Sequence, residues 1–173
     1  MLVLAAALWI DYARQAAAAD RVEWRDFSQT ASAGQNGTGA ELHGQEQRRS
    51  QNRPRLIYFT ADQCGPCQVM KADVFSKSQV ANAIHTRFEP FVVNLSQPTP
   101  REYSLAETYG VQFMPTLIVT DDRGQALERL DGVVDAAGFL RWLNRGWQAW
   151  ARHQQDTSST PEGTALTINR PAP

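Results

Sequence analysis

The chain has 173 residues, 42% of them hydrophobic and 20% charged, with a formal net charge of −1 at pH 7. A chain of that size buries one core of ordinary dimensions and leaves little for a second domain. Its Lys and Arg residues are scattered rather than banded, so it offers no basic field for nucleic acid, and no such partner is expected.

Residues 1–19 contain an unbroken apolar run, Leu2 to Ile10, followed by Asp11, Arg14 and the small residues Ala17, Ala18 and Ala19. The run has the length of a signal-peptide core, but no Lys or Arg precedes it, and it is shorter than the ~20 residues that cross a bilayer. Three readings stand: an export signal or N-terminal anchor, which would bring membrane association; the end of a longer transmembrane segment; or an alanine-rich helix. The chain's two cysteines do not decide the compartment, because such a pair suits a cytosolic redox enzyme and a lean extracytoplasmic one equally.

Residues 20–54 are expected to form a lead-in arm and a flexible polar linker. Val22 to Phe27 alternates apolar and polar residues, as in a short strand or extended arm laying Val22, Trp24 and Phe27 on the domain. From Ser28 to Arg53 the chain turns to Ser, Gly, Gln, Asn and charge, too polar to bury a face. A loose helix over Glu41 to Arg49 would carry Leu42.

Arg55 to Thr60 reads as a buried strand, and a helix begins within Cys64-Gly65-Pro66-Cys67, its apolar stripe made by Val69, Met70, Val74 and Phe75. Ser76-Lys77-Ser78 reads as a break, with Ser78 the N-cap of a helix from Gln79 to Arg87 that repeats Val80, Ala83 and Ile84 at helical spacing. A strand over Phe91 to Leu95, a loop with Pro98 and Pro100, and a helix from Arg101 to Tyr109 ending at Gly110 follow. Met114-Pro115 leads into a β-branched strand, Thr116 to Thr120. Asp121 to Gly124 then reads as a hairpin turn into a strand over Ala126 to Leu130. From Asp135 to Arg152 a long helix sets Phe139, Leu140, Trp142, Leu143, Trp147 and Trp150 largely on one side, a face wide enough to cover a sheet. Residues 153–173, with Pro161, Gly163, Pro171 and Pro173, read as a disordered tail.

The chemistry is expected at the cysteine pair. Two thiols at that spacing close a small disulfide that opens and closes readily. A helix start, with unpaired N–H groups and a favourable dipole, lowers the pKa of a thiol placed there. Cys64 is therefore the candidate nucleophile, and Cys67, one turn on and facing inward, the candidate resolving thiol. Gly65 presents no side chain to an approaching substrate, and Pro66 sits where a first-turn N–H lacks a partner. Two other readings of the pair are weaker. Zinc wants about four ligands, and His43, His85, His153 and scattered carboxylates lack ligand spacing. A purely structural disulfide would close too short a loop to remove much chain entropy. No metal or organic cofactor is expected.

The order strand, CGPC helix, strand, helix, proline-led strand, hairpin strand and final helix resembles the thioredoxin fold. The resemblance runs over residues 55–152 and implies an α/β domain with a central mixed β-sheet flanked by helices. Met114-Pro115-Thr116 is a second signature. It resembles the cis-proline loop that lies beside the cysteines in this family, which implies that Pro115 shapes the site and that the Met114 backbone pairs with an incoming peptide as an added strand. Phe59 to Cys64, Val74 to Val80 and the Val22-Glu23-Trp24 lead-in are similar to the C-terminal periplasmic thioredoxin domain of DsbD-type thiol:disulfide interchange proteins and their single-domain relatives. That likeness implies a monomeric protein-disulfide reductase, with disulfide-containing protein substrates and an upstream thiol donor outside the cytoplasm. If residues 1–19 are not an export signal, a cytoplasmic site follows. Two residues depart from the thioredoxin pattern. Gln63 replaces the tryptophan before the first cysteine, and Tyr58 replaces a buried aspartate, where a phenol with a pKa near 10 is a poor base at neutral pH. Proton transfer at Cys67 would then use water or another carboxylate. The rivals are an oxidase or isomerase, against which the Gly-Pro dipeptide argues, and a redox-inactive or Cu(I)-holding binding module.

Overall fold

A computed structural model describes residues 20–28 and 53–158. The leader readings, the linker helix over Glu41 to Arg49 and residues 159–173 lie outside the described residues. No helix among the described residues is long and apolar enough to cross a membrane.

Among the described residues five strands form one mixed sheet: β1 (Arg25–Asp26), β2 (Arg55–Thr60), β3 (Glu89–Asn94), β4 (Thr116–Thr120) and β5 (Ala126–Asp131). Their order across the sheet is β1-β3-β2-β4-β5. β2 is central, parallel to β3 and antiparallel to β4. It reads as a continuous apolar run because both of its faces are covered. Leu56 and Tyr58 join a core with the helices α1 (Gly65–Val69), α2 (Ser78–Arg87) and α4 (Ala136–Ser158). Ile57 and Phe59 join a smaller core with Ala106 of α3 (Pro100–Thr108) on the opposite face. The result is the expected helix-flanked mixed sheet.

A chain of aromatic rings ties the larger core together. Trp24 lies 5.2 Å from both Tyr58 and Phe75, Tyr58 5.2 Å from Phe75, Phe75 5.5 Å from Phe139 and Phe139 5.5 Å from Trp142. Each such pair adds about 0.5–1.5 kcal/mol beyond the area it buries. The arm belongs to this core: Val22 is buried, Arg25 and Asp26 pair with Phe91 and Val92, and Asp20 accepts hydrogen bonds from the Val22 N–H and the Trp24 indole N–H.

Several boundaries differ from the sequence expectation, most by a single residue, and three have a clear physical reason. The N-cap of α2 is Lys77, not Ser78. α1 runs on into a wide turn over Met70–Phe75 with a backbone bond from Ser76 N to Lys71 O, and Lys77 itself bonds back to Val74 O before its carbonyl accepts from Val80 and Ala81. β3 starts two residues earlier than Phe91, at Glu89, whose N–H reaches Pro54 O at 3.0 Å. Pro90 is tolerated because alternate residues of a parallel strand bond to opposite sides, so its missing N–H faces away from β2, and β1 joins only at Phe91. α4 continues past Arg152 to Ser158, with the Trp147 and Trp150 ring centroids 4.9 Å apart and His153 Nε2 3.1 Å from the buried Asp121 carboxylate. Residues 153–158 are thus helix rather than tail.

Gly146 lets α4 approach the sheet. A Cβ there would sit 2.8 Å from Val119 Cγ2, on a buried β-branched side chain with little freedom to move. Gly146→Ala should gain about 0.8–1 kcal/mol of helix propensity and lose about 1–3 kcal/mol to overpacking. The net expectation is a lower urea midpoint than wild type; a raised midpoint would contradict the close approach.

Candidate active site

The β2–β3 ladder ends at the bond from Leu95 N to Thr60 O, 2.8 Å. Just past that point lies a cleft of about 620 Å³ lined by Gln63, Cys64, Gly65, Pro66, Ser96 and Met114 among others. Cys64 is the N-cap of α1 in extended conformation, and its sulfur accepts the Cys67 N–H at 3.1 Å. Pro66 stands in the first turn, where no intrahelical N–H is needed. At Gly65 a Cβ would meet nothing within 4 Å. Packing does not demand glycine there, and its effect is to leave the surface beside Cys64 open.

Cys64 and Cys67 are joined as a disulfide with a Cα–Cα distance of 5.2 Å. The two sulfurs are not equivalent: Cys64 retains 9% of its exposure and lines the cleft, whereas Cys67 retains 0%. Across the cleft, the Met114-Pro115 peptide is cis. Its loop is braced where the Pro115 carbonyl accepts the Gly132 N–H at 2.8 Å. The Thr116 hydroxyl also lies 2.6 Å from Asp131 Oδ1 and 2.8 Å from the Phe113 carbonyl. Of the six residues singled out in the sequence, Cys64, Gly65, Pro66 and Met114 meet on the cleft, while Cys67 and Pro115 are buried behind it.

Tyr58, beneath the helix, donates to the Cys67 carbonyl at 3.5 Å. Burial pushes its phenol up to about 12, so it stays protonated and accepts no proton from Cys67 near neutrality. The carboxyl that bears on it electrostatically is Asp20 of the arm, itself raised above the usual carboxylate range by burial. Tyr58→Phe should therefore leave the pH profile of turnover unmoved and cost about 0.5–1.5 kcal/mol of stability. A displaced profile would give the phenol a part in proton transfer.

Other residues of the site carried no recognised spacing. Phe113, next to the cleft-lining Met114, presents an aromatic ring that is 68% exposed. Asp62, Asn94 and Ser96 form a closed set of hydrogen bonds, and Asp62 and Ser96 line the cleft. Among the described residues no group of three or more His, Cys, Asp or Glu is placed to hold a metal. His85 instead accepts the Glu23 N–H, and His153 pairs with Asp121.

The reactive groups that the cleft brings together are therefore two sulfurs, one reachable and one sealed, able to pass between dithiol and disulfide. That chemistry on this sheet defines a thiol-disulfide oxidoreductase. Residues 43–147 match the family model described as a thioredoxin-like domain, and the chain belongs to that family. A thioredoxin-like protein of Synechocystis is 34% identical over 91 residues, covering 53% of this chain and 79% of the relative. The thiol:disulfide interchange protein DsbD of Neisseria meningitidis is 30% identical over 95 residues, 54% of this chain but 16% of that protein. The likeness to DsbD is thus to a small part of it. The crystal structure of the C-terminal domain of Neisseria meningitidis DsbD in the oxidised form superposes with a TM-score of 0.51 at 26% identity, covering 64% of this chain and 97% of that one.

Proposed function

We propose that this oxidoreductase works as a monomeric reductase of disulfides in extracytoplasmic proteins, with residues 1–19 serving as export signal or anchor. The Cys64 thiolate attacks one sulfur of the partner's disulfide and expels the other as a thiolate, leaving a mixed disulfide. The Cys67 thiolate then attacks Cys64 Sγ and releases the partner's second thiol. Two electrons have passed to the partner, and this chain is left as the Cys64–Cys67 disulfide. An upstream thiol donor must reduce it again. The open backbone at Met114 pairs with the partner as a short added strand, and Pro115 holds that loop in place. Gly65 and Pro66 keep the approach to Cys64 clear.

The observation that carries the reading is the asymmetry of the pair: Cys64 lines the cleft and Cys67 is sealed beneath it. An external disulfide reaches one sulfur, and the other is reserved for resolution. The direction of transfer is tested by the equilibrium potential of the pair against glutathione. A reductase is expected near the thioredoxin value of about −270 mV, and a value well above about −200 mV would turn the assignment to oxidase or isomerase. Fractionation of intact cells tests the compartment, and recovery in the cytoplasm would remove the extracytoplasmic partners.

A further inference from the structure

Where β2 and β3 part, three side chains replace the ladder. Asp62 N–H donates to Ser96 Oγ at 2.7 Å, Ser96 N–H donates to Asn94 Oδ1 at 3.0 Å, and Asn94 Nδ2 donates to Asp62 Oδ1 at 2.6 Å. The bonds close a ring joining the loop that carries Cys64 to the loop after β3, and both Asp62 and Ser96 line the cleft. All three residues are exposed, so the ring adds little to the core. Its geometric consequence is larger. Asp62 stands two residues before Cys64, and the turn between them is tight, with Cys64 N bonded to Ala61 O at 3.3 Å. A shift of Asp62 is therefore passed on to Cys64.

We propose that Asp62, Asn94 and Ser96 are positioning residues that fix Cys64 relative to the Met114 loop, and that they matter for polypeptide disulfides and not for small ones. The inference rests on the reading that Cys64 attacks disulfides. A polypeptide must meet Cys64 Sγ and the Met114 backbone together, so its binding depends on the separation of the two walls. A small disulfide needs the sulfur alone. Misplacement by about 1 Å is enough to cost as much as 10²-fold in a reaction that depends on two-point alignment.

The test uses the full chain with Asp62→Ala, Asp62→Asn, Asn94→Ala and Ser96→Ala. Steady-state kinetics are measured on insulin and on hydroxyethyl disulfide, with thermal unfolding as a check on folding. The alanine variants are expected to raise KM for insulin about tenfold while kcat/KM for hydroxyethyl disulfide stays within about twofold of wild type. Asp62→Asn, which keeps an Oδ1 acceptor for Asn94 and loses only the charge, should restore the wild-type KM. An unmoved insulin KM, or a parallel fall on both substrates, would overturn the proposal. So would an Asp62→Asn variant as impaired as Asp62→Ala, which would assign the effect to charge. A wild-type protein that turns over neither disulfide would overturn the oxidoreductase reading and the ring's role with it.

Discussion

Cys64→Ser is expected to lower reduction of any disulfide by at least about a thousandfold, because a serine hydroxyl is not a nucleophile toward sulfur and no second thiol can take its place. Cys67, the only other cysteine in the chain, has no exposed surface through which a partner could reach it. Cys67→Ser should behave differently. Attack at Cys64 is retained and resolution is lost, so turnover stops after one event and a mixed disulfide accumulates on Cys64. Intact mass before and after dithiothreitol would show the adduct and its release. Substantial turnover by Cys64→Ser, or an adduct carried on Cys67 in that variant, would reverse the roles assigned to the pair.

Phe75→Ala is expected to cost about 3–5 kcal/mol, the usual range for removing a fully buried phenylalanine. The ring has no exposed surface and touches three others, Trp24 from the arm, Tyr58 from β2 and Phe139 from α4. The cavity would open where three elements meet, and none of them is free to collapse into it. Against a total stability of about 5–15 kcal/mol for a domain, that is a large fraction. The urea midpoint should fall accordingly, with Phe75→Leu in between. A loss below about 1 kcal/mol would mean that the aromatic chain relaxes far more than its packing implies.

Some elements were legible from the residues because local pattern and tertiary demand agree. β2 and β4 are short β-branched or apolar runs buried on both faces, and the helix starting in CGPC carries its stripe at Val69, Met70, Val74 and Phe75. The start of β3 was not legible, since Glu89-Pro90 reads locally as a turn. Glu89 enters the sheet because Arg25 and Arg53, distant in sequence, approach its buried carboxylate at 3.9 Å each. The cap at Lys77 was hidden for a related reason: apolar spacing does not separate an α turn from the wider one over Met70–Phe75. At the site, the cysteines and the Met114-Pro115 loop carry recognisable spacings. Asp62, Asn94 and Ser96 do not, since bonds spanning 32 and 34 residues leave no periodic trace in the chain.

The placement of β1 bears on how the sheet meets other molecules. A strand with unpaired N–H and C=O groups along its rim is a template on which another chain can add, and folded proteins block such rims by charge or by cover. At one side β5 carries its own deterrent in Glu128, Arg129 and Asp131. At the other, Phe91 and Val92 of β3 have no such charges and are covered by Arg25 and Asp26, which lie far upstream in the chain. A chain begun at Arg53 would keep the cysteine pair and its cleft but expose an apolar rim to self-association, so the arm belongs in any version of the protein meant to stay in solution.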